Sequence, residues 1–165
     1  MRTKIFRSLL PLALVFTMIS CSTDESTTPS GNDTAIVENY DYNASELRLM
    51  DLINQYRETQ GLTKLEKINY ISYKSEEHNF YMMDNNVVNH DLFQQRSQDL
   101  INLLGAHKVG ENIAYNYGSP EGALHAWLGS QGHKENIEGD YTHFGVAITT
   151  AENGRKYYTN MFIKK

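Results

Sequence analysis

Apolar residues recur at helical spacing between Asn43 and Gly61, and this pattern predicts the first structural element. Four of them fall at positions i, i+3, i+4 and i+7, on one face of a helix: Leu49, Leu52, Ile53 and Tyr56. Asn43 and Glu46 have the spacing of a capping pair at the start of such a helix, and Gly61 is a natural stop. The sequence therefore predicts an amphipathic helix that buries one face.

Two further helices are predicted from less regular patterns. The first covers roughly residues 69–84, where His78 and Met82 can share one face. The second lies in residues 120–130, where the proline at its first position suits a first turn and Ser119 suits its cap. Helices are therefore expected to make up the earlier part of the domain.

Residues of strand character recur at every second position near the end of the chain. They are Phe144, Val146 and Ile148, and then Tyr157, Thr159, Met161 and Ile163. Asn153-Gly154 between the two sets suits the two positive-φ positions of a type I′ turn. We expect an antiparallel hairpin near the centre of a sheet.

The first 21 residues have the pattern of an export signal. A basic start precedes the apolar run 9–19, and Ser20 and Cys21 follow. An apolar run of about eleven residues cannot span a bilayer, which needs roughly twenty. The pattern predicts a signal peptide over residues 1–20 and lipidation of Cys21, as in a bacterial lipoprotein; an uncleaved amphipathic helix is the alternative. Because Cys21 is the only cysteine, no disulfide is expected.

Residues 21–42 are predicted to be a flexible tether that carries the lipidated cysteine. They are rich in Ser, Thr, Asp and Asn, contain five acidic residues and no Lys or Arg, and hold few large apolar residues. One domain is expected over residues 43–165. Cleavage of the leader would leave twelve basic against twenty acidic residues, so nucleic acid is not an expected partner.

Three segments occur in an order and spacing that resemble a known superfamily. They are Asn89-His90-Asp91-Leu92-Phe93 with Arg96, Gly110-Glu111-Asn112-Ile113-Ala114, and residues 127–137 from Trp127 through His133 to Ile137. Together they resemble the CAP superfamily, whose SCP-like domains include cysteine-rich secretory proteins, antigen 5 and pathogenesis-related 1 proteins. The resemblance is to the bacterial lipoprotein branch and spans nearly all of residues 43–165.

The resemblance implies an α+β fold, a three-layer α-β-α sandwich with a central, mainly antiparallel sheet. It also implies a cleft in which two histidines and two acidic residues converge. Matching motif to motif places His90, Glu111 and His133 in that cleft. The fourth position aligns with Ser130, so one carboxylate of the four is replaced.

Imidazole and carboxylate groups in one cleft suit zinc or another divalent cation, and His90, His133 and Glu111 are the expected ligands. Such binding would weaken as the pH falls through the histidine range, near 6.5. Each residue also has a structural explanation. His90 could cap a helix end, Glu111 could accept backbone N–H groups, and His133 could lie in a first turn after a Ser130 cap.

The expected function is a binding or interaction module, anchored in the membrane through Cys21 and presenting the cleft to an extracellular, lipid or cell-wall ligand. Its expected location is the bacterial cell envelope, with the outer membrane or cell surface favoured. A hydrolase is the alternative, either metal-assisted or with Ser130 as nucleophile, His133 as base and Glu111 as orienter. No Gly-x-Ser-x-Gly elbow surrounds Ser130, so a non-enzymatic role is favoured. A structural envelope protein with a vestigial site is the third possibility.

Overall fold

The computed structural model describes residues 36–165. The helices in this range are α1 Ala44–Thr59, α2 Asn69–Asp84, α3 Phe93–Leu104, α4 Pro120–Leu128 and α5 Gln131–Glu138. The strands are β1 Glu66–Lys67, β2 Lys108–Tyr115, β3 His143–Thr150 and β4 Lys156–Lys164. The expected signal peptide, Cys21 and the tether up to residue 35 lie outside the described residues and stay predictions.

The strands form one sheet in the order β1-β3-β4-β2. β1 pairs with β3 in parallel, and the β3–β4 and β4–β2 pairs are antiparallel. The hairpin predicted near the sheet centre is therefore confirmed, as is the mainly antiparallel sheet. β2 lies at one edge of the sheet, a position that matters for the site below.

Helices cover both faces of this sheet and make the expected α-β-α sandwich. On one face, α1, α4 and α5 enclose the larger core, in which Trp127, Phe144 and Phe162 are almost fully buried. On the other face, α2 and α3 pack over Leu100, Met161 and their apolar neighbours. Because successive residues of β2 point to opposite faces, each of its side chains reaches one helical layer only.

The three predicted helices are found at the expected places. Asn43 and Glu46 form a capping box, in which the Asn43 side chain accepts from Glu46 N at 3.0 Å and the Glu46 side chain accepts from Asn43 N at 2.9 Å. Residues 69–84 form α2. Ser119 caps α4 by accepting a hydrogen bond from Gly122 N at 3.2 Å. α3, β2 and α5 were not predicted.

The turn of the hairpin differs from the expected type I′ turn. Gly154 has a φ of +79°, but Asn153 does not have a positive φ. Ala151 N donates to Arg155 O at 2.8 Å, so residues 152–154 form a three-residue loop that ends in a left-handed glycine. This is the next commonest hairpin connection, in which only the last loop position needs a positive φ.

The packed domain begins earlier than residue 43. Tyr42 exchanges a hydrogen bond with the Ser72 hydroxyl at 2.9 Å, and the Asn69 side chain donates to Glu38 O at 2.6 Å. Val37 packs against the core on the α2 face. Residues 37–42 therefore belong to the domain, because two tyrosines and a valine bury enough apolar surface to hold this part of the expected tether in place.

α2 lies unusually close to the central strand β3. A Cβ atom added to Gly145 would collide with the backbone of Ile71 and Ser72. Two side chains of α2 bond to β3 across this contact: Ser72 accepts from Val146 N at 3.1 Å, and Asn79 donates to Ala147 O at 3.1 Å. Gly145 thus sets the separation between the helix and the sheet.

No helix within residues 36–165 combines the length and the apolar character needed to cross a bilayer.

Candidate functional site

Two consecutive residues of the edge strand β2 organise the site. Ile113 packs with Met82 on the α2 face, and Ala114 packs in the core on the α4 and α5 face. By alternation, Glu111 faces α2 and α3, while Asn112 faces α5. β2 therefore contacts His90 through Glu111 on one face of the sheet, and His133 through Asn112 on the other face.

The Glu111 carboxylate is buried and makes hydrogen bonds through both oxygens. Arg96 of α3 binds it through two nitrogens, with Nε–Oε2 at 2.9 Å and Nη2–Oε1 at 2.8 Å. His90 Nδ1 lies 2.8 Å from Oε1. The Glu111 side chain is only 1% exposed, whereas that of His90 is 48% exposed. The carboxylate is thus an internal anchor, and the imidazole above it faces solvent.

This arrangement fixes the ionisation of Glu111. Burial alone would raise the pKa of its carboxyl, but the hydrogen bond from His90 and the positive charge of Arg96 outweigh burial and hold that pKa below the ordinary value. Glu111 is therefore a carboxylate at neutral pH.

The same hydrogen bond sets the tautomer of His90. An ionised carboxylate can only accept, so a neutral His90 carries its proton on Nδ1 and donates it to Glu111. The lone pair of Nε2 is left available at the exposed end of the ring. Carboxylates orient metal-binding and basic histidines in this way.

The backbone on both sides of His90 is also held in place. The carbonyl of Asn89 accepts from His78 Nε2 at 2.8 Å, and the carbonyl of Asp91 accepts from Arg96 Nη1 at 2.7 Å. Leu92, which follows, has a left-handed φ of +59°. A non-glycine residue in this conformation is strained and persists only when neighbouring contacts enforce it. The loop that presents His90 is therefore rigidly defined.

His78 of α2 has a supporting role in the site. It is almost fully buried in α2, and burial lowers the pKa of its imidazole. Because Nε2 donates to a carbonyl, the neutral ring has its lone pair on Nδ1, for which the described residues provide no hydrogen-bond donor. His78 thus supports the loop that carries His90 through its hydrogen bond to Asn89 O.

His133 reaches the site from the opposite face, on α5. The Asn112 side chain donates to His133 O at 2.9 Å. The Asn136 side chain donates to Glu111 O at 3.1 Å and to Asn112 Oδ1 at 2.9 Å. These bonds dock α5 on the free edge of β2. Burial lowers the pKa of His133, and the charge of His90 lowers it further.

A cavity of about 280 Å³ lies beside His133. Ser130 and His133 contribute polar groups to its wall, and Tyr115, Tyr117 and Trp127 contribute aromatic surface. Trp127 is fixed by a hydrogen bond from its Nε1 to Ile113 O at 2.8 Å. Ser130 is the N-cap residue of α5, but its side chain makes no capping hydrogen bond. A small cavity with polar groups and aromatic walls is a typical ligand-binding environment.

The structure thus brings the four expected residues together as two pairs. Glu111 bonds to His90, and Ser130 lines a cavity with His133. The expected hydrolase arrangement of Ser130, His133 and Glu111 is not assembled, because Glu111 bonds to His90 and not to His133. Within residues 36–165, no three His, Cys, Asp or Glu side chains are grouped to hold a metal ion jointly.

A metal ion fits His90 and His133 alone better than it fits His90, His133 and Glu111 together. Both oxygens of Glu111 accept hydrogen bonds from Arg96 or His90, and the side chain is only 1% exposed, so the carboxylate is poorly placed to contact a cation at the surface. His90 Nε2 makes no hydrogen bond within residues 36–165, and the His133 imidazole is partly buried beside the small cavity. Two imidazoles with an orienting carboxylate suit zinc, with other positions left to water or to a ligand.

Three residues of the site were not identified as functional from the sequence: Arg96, Asn112 and Asn136. Each lies inside a segment that carries the family resemblance, and that position is the signal which could have identified them. Arg96 provides the positive charge that compensates Glu111. Asn112 and Asn136 hold α5, and with it His133, against the edge strand.

The chain is similar in sequence to known proteins. The model of CAP, the cysteine-rich secretory protein family, matches residues 50–162. The "Uncharacterized membrane protein YlbC" of Bacillus subtilis is 35% identical over 131 residues, which is 73% of this chain and 35% of YlbC. The chain therefore spans about a third of the length of this relative.

Two solved structures have folds similar to that of this chain. An outer surface protein of Borrelia burgdorferi has a TM-score of 0.67 at 19% identity, covering 78% of this chain and 99% of that protein. An extracellular protein of Bacillus anthracis that contains an SCP domain has a TM-score of 0.63 at 30% identity, covering 73% of this chain and 40% of that protein.

Proposed function

Because the chain belongs to the CAP family of cysteine-rich secretory proteins, we propose that it is a binding module of the bacterial cell envelope whose ligand contacts His90 and His133. The observation that carries this proposal is the hydrogen bond from His90 Nδ1 to Glu111, which leaves Nε2 of an exposed imidazole available. Arg96 and Glu111 compensate each other's charge, and Glu111 holds His90 in place.

The proposed ligand includes a divalent cation, with zinc the best match to imidazole donors. His90 and His133 would hold it, and Glu111 would act through His90 by fixing the tautomer. A bound zinc would supply a Lewis acid site for an oxygen group of a second ligand. The adjoining cavity, with Ser130 and the aromatic walls of Tyr115 and Tyr117, provides space for an extracellular, lipid or cell-wall molecule.

The cation part of the proposal is tested by calorimetric zinc titration. His90→Ala and His133→Ala should each abolish most of the zinc binding of the unaltered protein. His107→Ala is the matched control, because His107 is exposed and its side chain makes no hydrogen bond in the described structure; it should bind zinc like the unaltered protein. Absence of zinc binding, or binding that survives both site substitutions, would falsify the shared site.

An envelope location is supported by the relatives. YlbC is a membrane protein, the similar Borrelia burgdorferi structure is of an outer surface protein, and the Bacillus anthracis structure is of an extracellular protein. We place the anchor at Cys21, after a leader with a basic start and a short apolar run. Cys21→Ala should abolish fatty-acid labelling and release the protein from the membrane fraction. Unchanged labelling in this variant would contradict lipid anchoring at Cys21.

A further inference from the structure

A second and larger cavity lies where the end of α1 meets the connection between α5 and β3. Its volume is about 520 Å³, and none of its lining residues belongs to the cavity beside His133. Charged groups of both signs surround it. The positive residues are Arg57, Lys64, Lys164 and Lys165, and the negative residues are Glu66, Glu138 and Asp140.

Arg57 is the unusual member of this set because it is only 3% exposed. Its Nε donates to Thr63 O at 2.9 Å, and its Nη1 donates to Ile137 O at 2.6 Å and to Gly139 O at 3.0 Å. All of these acceptors are neutral carbonyls. Within residues 36–165, no carboxylate lies within ion-pair distance of Arg57, and Nη2 makes no hydrogen bond.

The structural work of Arg57 is done by Nε and Nη1 alone. Nη1 satisfies carbonyls at the C-terminus of α5, where a helix has acceptors without intrahelical partners. Nε holds the loop that follows α1. These contacts account for the burial of the side chain, but they leave Nη2 without a hydrogen-bond partner within residues 36–165, on a residue that lines the cavity.

The acidic residues around the cavity are already engaged with other groups. Asp140 accepts from Lys164 Nζ at 2.6 Å, and Glu138 accepts from the Tyr56 hydroxyl at 2.6 Å. Glu66 lies on the exposed surface, 3.7 Å from His143. The positive charge of Arg57 is therefore left without a contacting counter-ion among the described residues.

A buried charge without a partner is costly, so proteins almost always pair such groups. Burial lowers the pKa of Arg57, and the negative charge of Asp140 offsets only part of this effect. We propose that this cavity is an oxyanion site, in which Nη2 of Arg57 binds a carboxylate or phosphate group of a small ligand. The cavity is much larger than either group and has the volume of a small-molecule site. The remainder of the ligand would therefore lie against other lining residues, which include Lys64 and Lys165.

The test is titration of the full chain with inorganic phosphate and, separately, with acetate, at constant ionic strength. The thermal midpoint and the NMR signal of the Arg57 side chain report binding. Either anion should raise the midpoint saturably, because a ligand that binds only the folded state stabilises it. Response to phosphate alone assigns a phosphate ligand, and response to acetate alone assigns a carboxylate. Response to neither overturns the proposal.

Two substitutions should change the affinity in opposite directions. Asp140→Asn removes a competing negative charge from an exposed residue and should tighten binding about three- to ten-fold. Arg57→Lys should weaken it at least about ten-fold, because a lysine cannot keep the carbonyl bonds and reach the anion together. If Arg57→Lys does not fold, Asp140→Asn still decides the question.

Asp84→Asn is the matched control for Asp140→Asn, because it removes the same charge from an exposed position at the end of α2. It should change the affinity less than about two-fold, since solvent screens distant surface charges. An equal effect of Asp84→Asn and Asp140→Asn would mean general attraction of anions and would overturn a site at Arg57.

Discussion

Replacement of Glu111 by glutamine tests the central network of the site. The substitution keeps the shape of the side chain but removes its charge, and it leaves the buried Arg96 guanidinium without a counter-ion. A glutamine also carries an N–H donor where the carboxylate offered a second acceptor, so at least one donor of Arg96 or His90 loses its partner. Breaking a buried ion pair from one side costs about 3–5 kcal/mol, and we expect a loss of unfolding free energy in this range.

Urea denaturation followed by the fluorescence of Trp127 measures this loss directly. Trp127 is the only tryptophan of the chain, and it is 1% exposed in the folded domain. The matched control is Glu135→Gln, which changes an exposed glutamate of α5 and should alter stability by no more than about 0.5 kcal/mol. A loss below about 1 kcal/mol in Glu111→Gln would refute the argument that the Arg96–Glu111 pair is a structural requirement.

A double-mutant cycle separates the structural role of the pair from the binding role of His90. Arg96→Met alone leaves a buried carboxylate unpaired, whereas Arg96→Met with Glu111→Gln removes both charges. The double substitution should therefore cost less than the sum of the two single ones. His90→Ala should be far less destabilising than Glu111→Gln, because its ring is half exposed, and yet it should abolish zinc binding.

Other parts of the structure support three further predictions. Stability should fall as the pH drops below about 6.5, because burial lowers the pKa of His78 and His133 and the unfolded chain therefore binds more protons than the folded one. Below about 4.3 the lowered pKa of Glu111 adds a further loss of stability. The raised pKa of Glu46 acts in the opposite direction and offsets part of the decline between these two pH values. Urea midpoints between pH 4 and 8 measure this, and a constant midpoint would contradict it. Gly145→Ala should destabilise the domain by about 1–3 kcal/mol or more, since its methyl group would collide with the Ile71 and Ser72 backbone, and an unchanged melting temperature would contradict such close packing. His78→Leu removes the donor to Asn89 O and should weaken zinc binding while the fold is kept; affinity equal to that of the unaltered protein would mean that His78 does not position His90.

The elements that could be predicted from the sequence are those whose pattern is local. α1, α2 and α4 each bury one face, and Asn43 and Ser119 provide caps that depend only on residues three positions away. The hairpin alternates because β3 and β4 present different residues to the two helical layers. In these elements local preference and tertiary structure agree.

The elements that were not predicted contain the residues of the site. β2 has no recognisable strand pattern, because it buries Glu111 and Asn112 next to apolar residues. α3 starts after a left-handed Leu92 without a side-chain cap, so it has no recognisable start signal. Functional residues often violate local rules in this way, and their partners lie far away in the chain.

The family resemblance provided what local patterns could not. It predicted that His90 and Glu111 are neighbours, and they are 2.8 Å apart. It did not predict that Arg96 binds both oxygens of the Glu111 carboxylate, because this pairing depends on how α3 packs against β2. The expectation that Glu111 is itself a ligand therefore changes into one in which it positions a ligand.

Ser130, the residue aligned with the fourth position of the family cleft, permits one last prediction. Its side chain makes no capping bond in α5, and it lines the same cavity as His133. Ser130→Glu would place a carboxylate at a helix N-terminus, which favours negative charge, and beside an imidazole whose pKa is lowered by burial and by His90. We expect the pKa of His133 to rise and zinc to bind about ten-fold more tightly. Ser130→Gln is the control for size without charge and should leave both quantities nearly unchanged. If Ser130→Glu changes neither quantity, or if Ser130→Gln changes them equally, the carboxylate does not reach the cleft, and the two histidines bind their ligand without a contribution from this position.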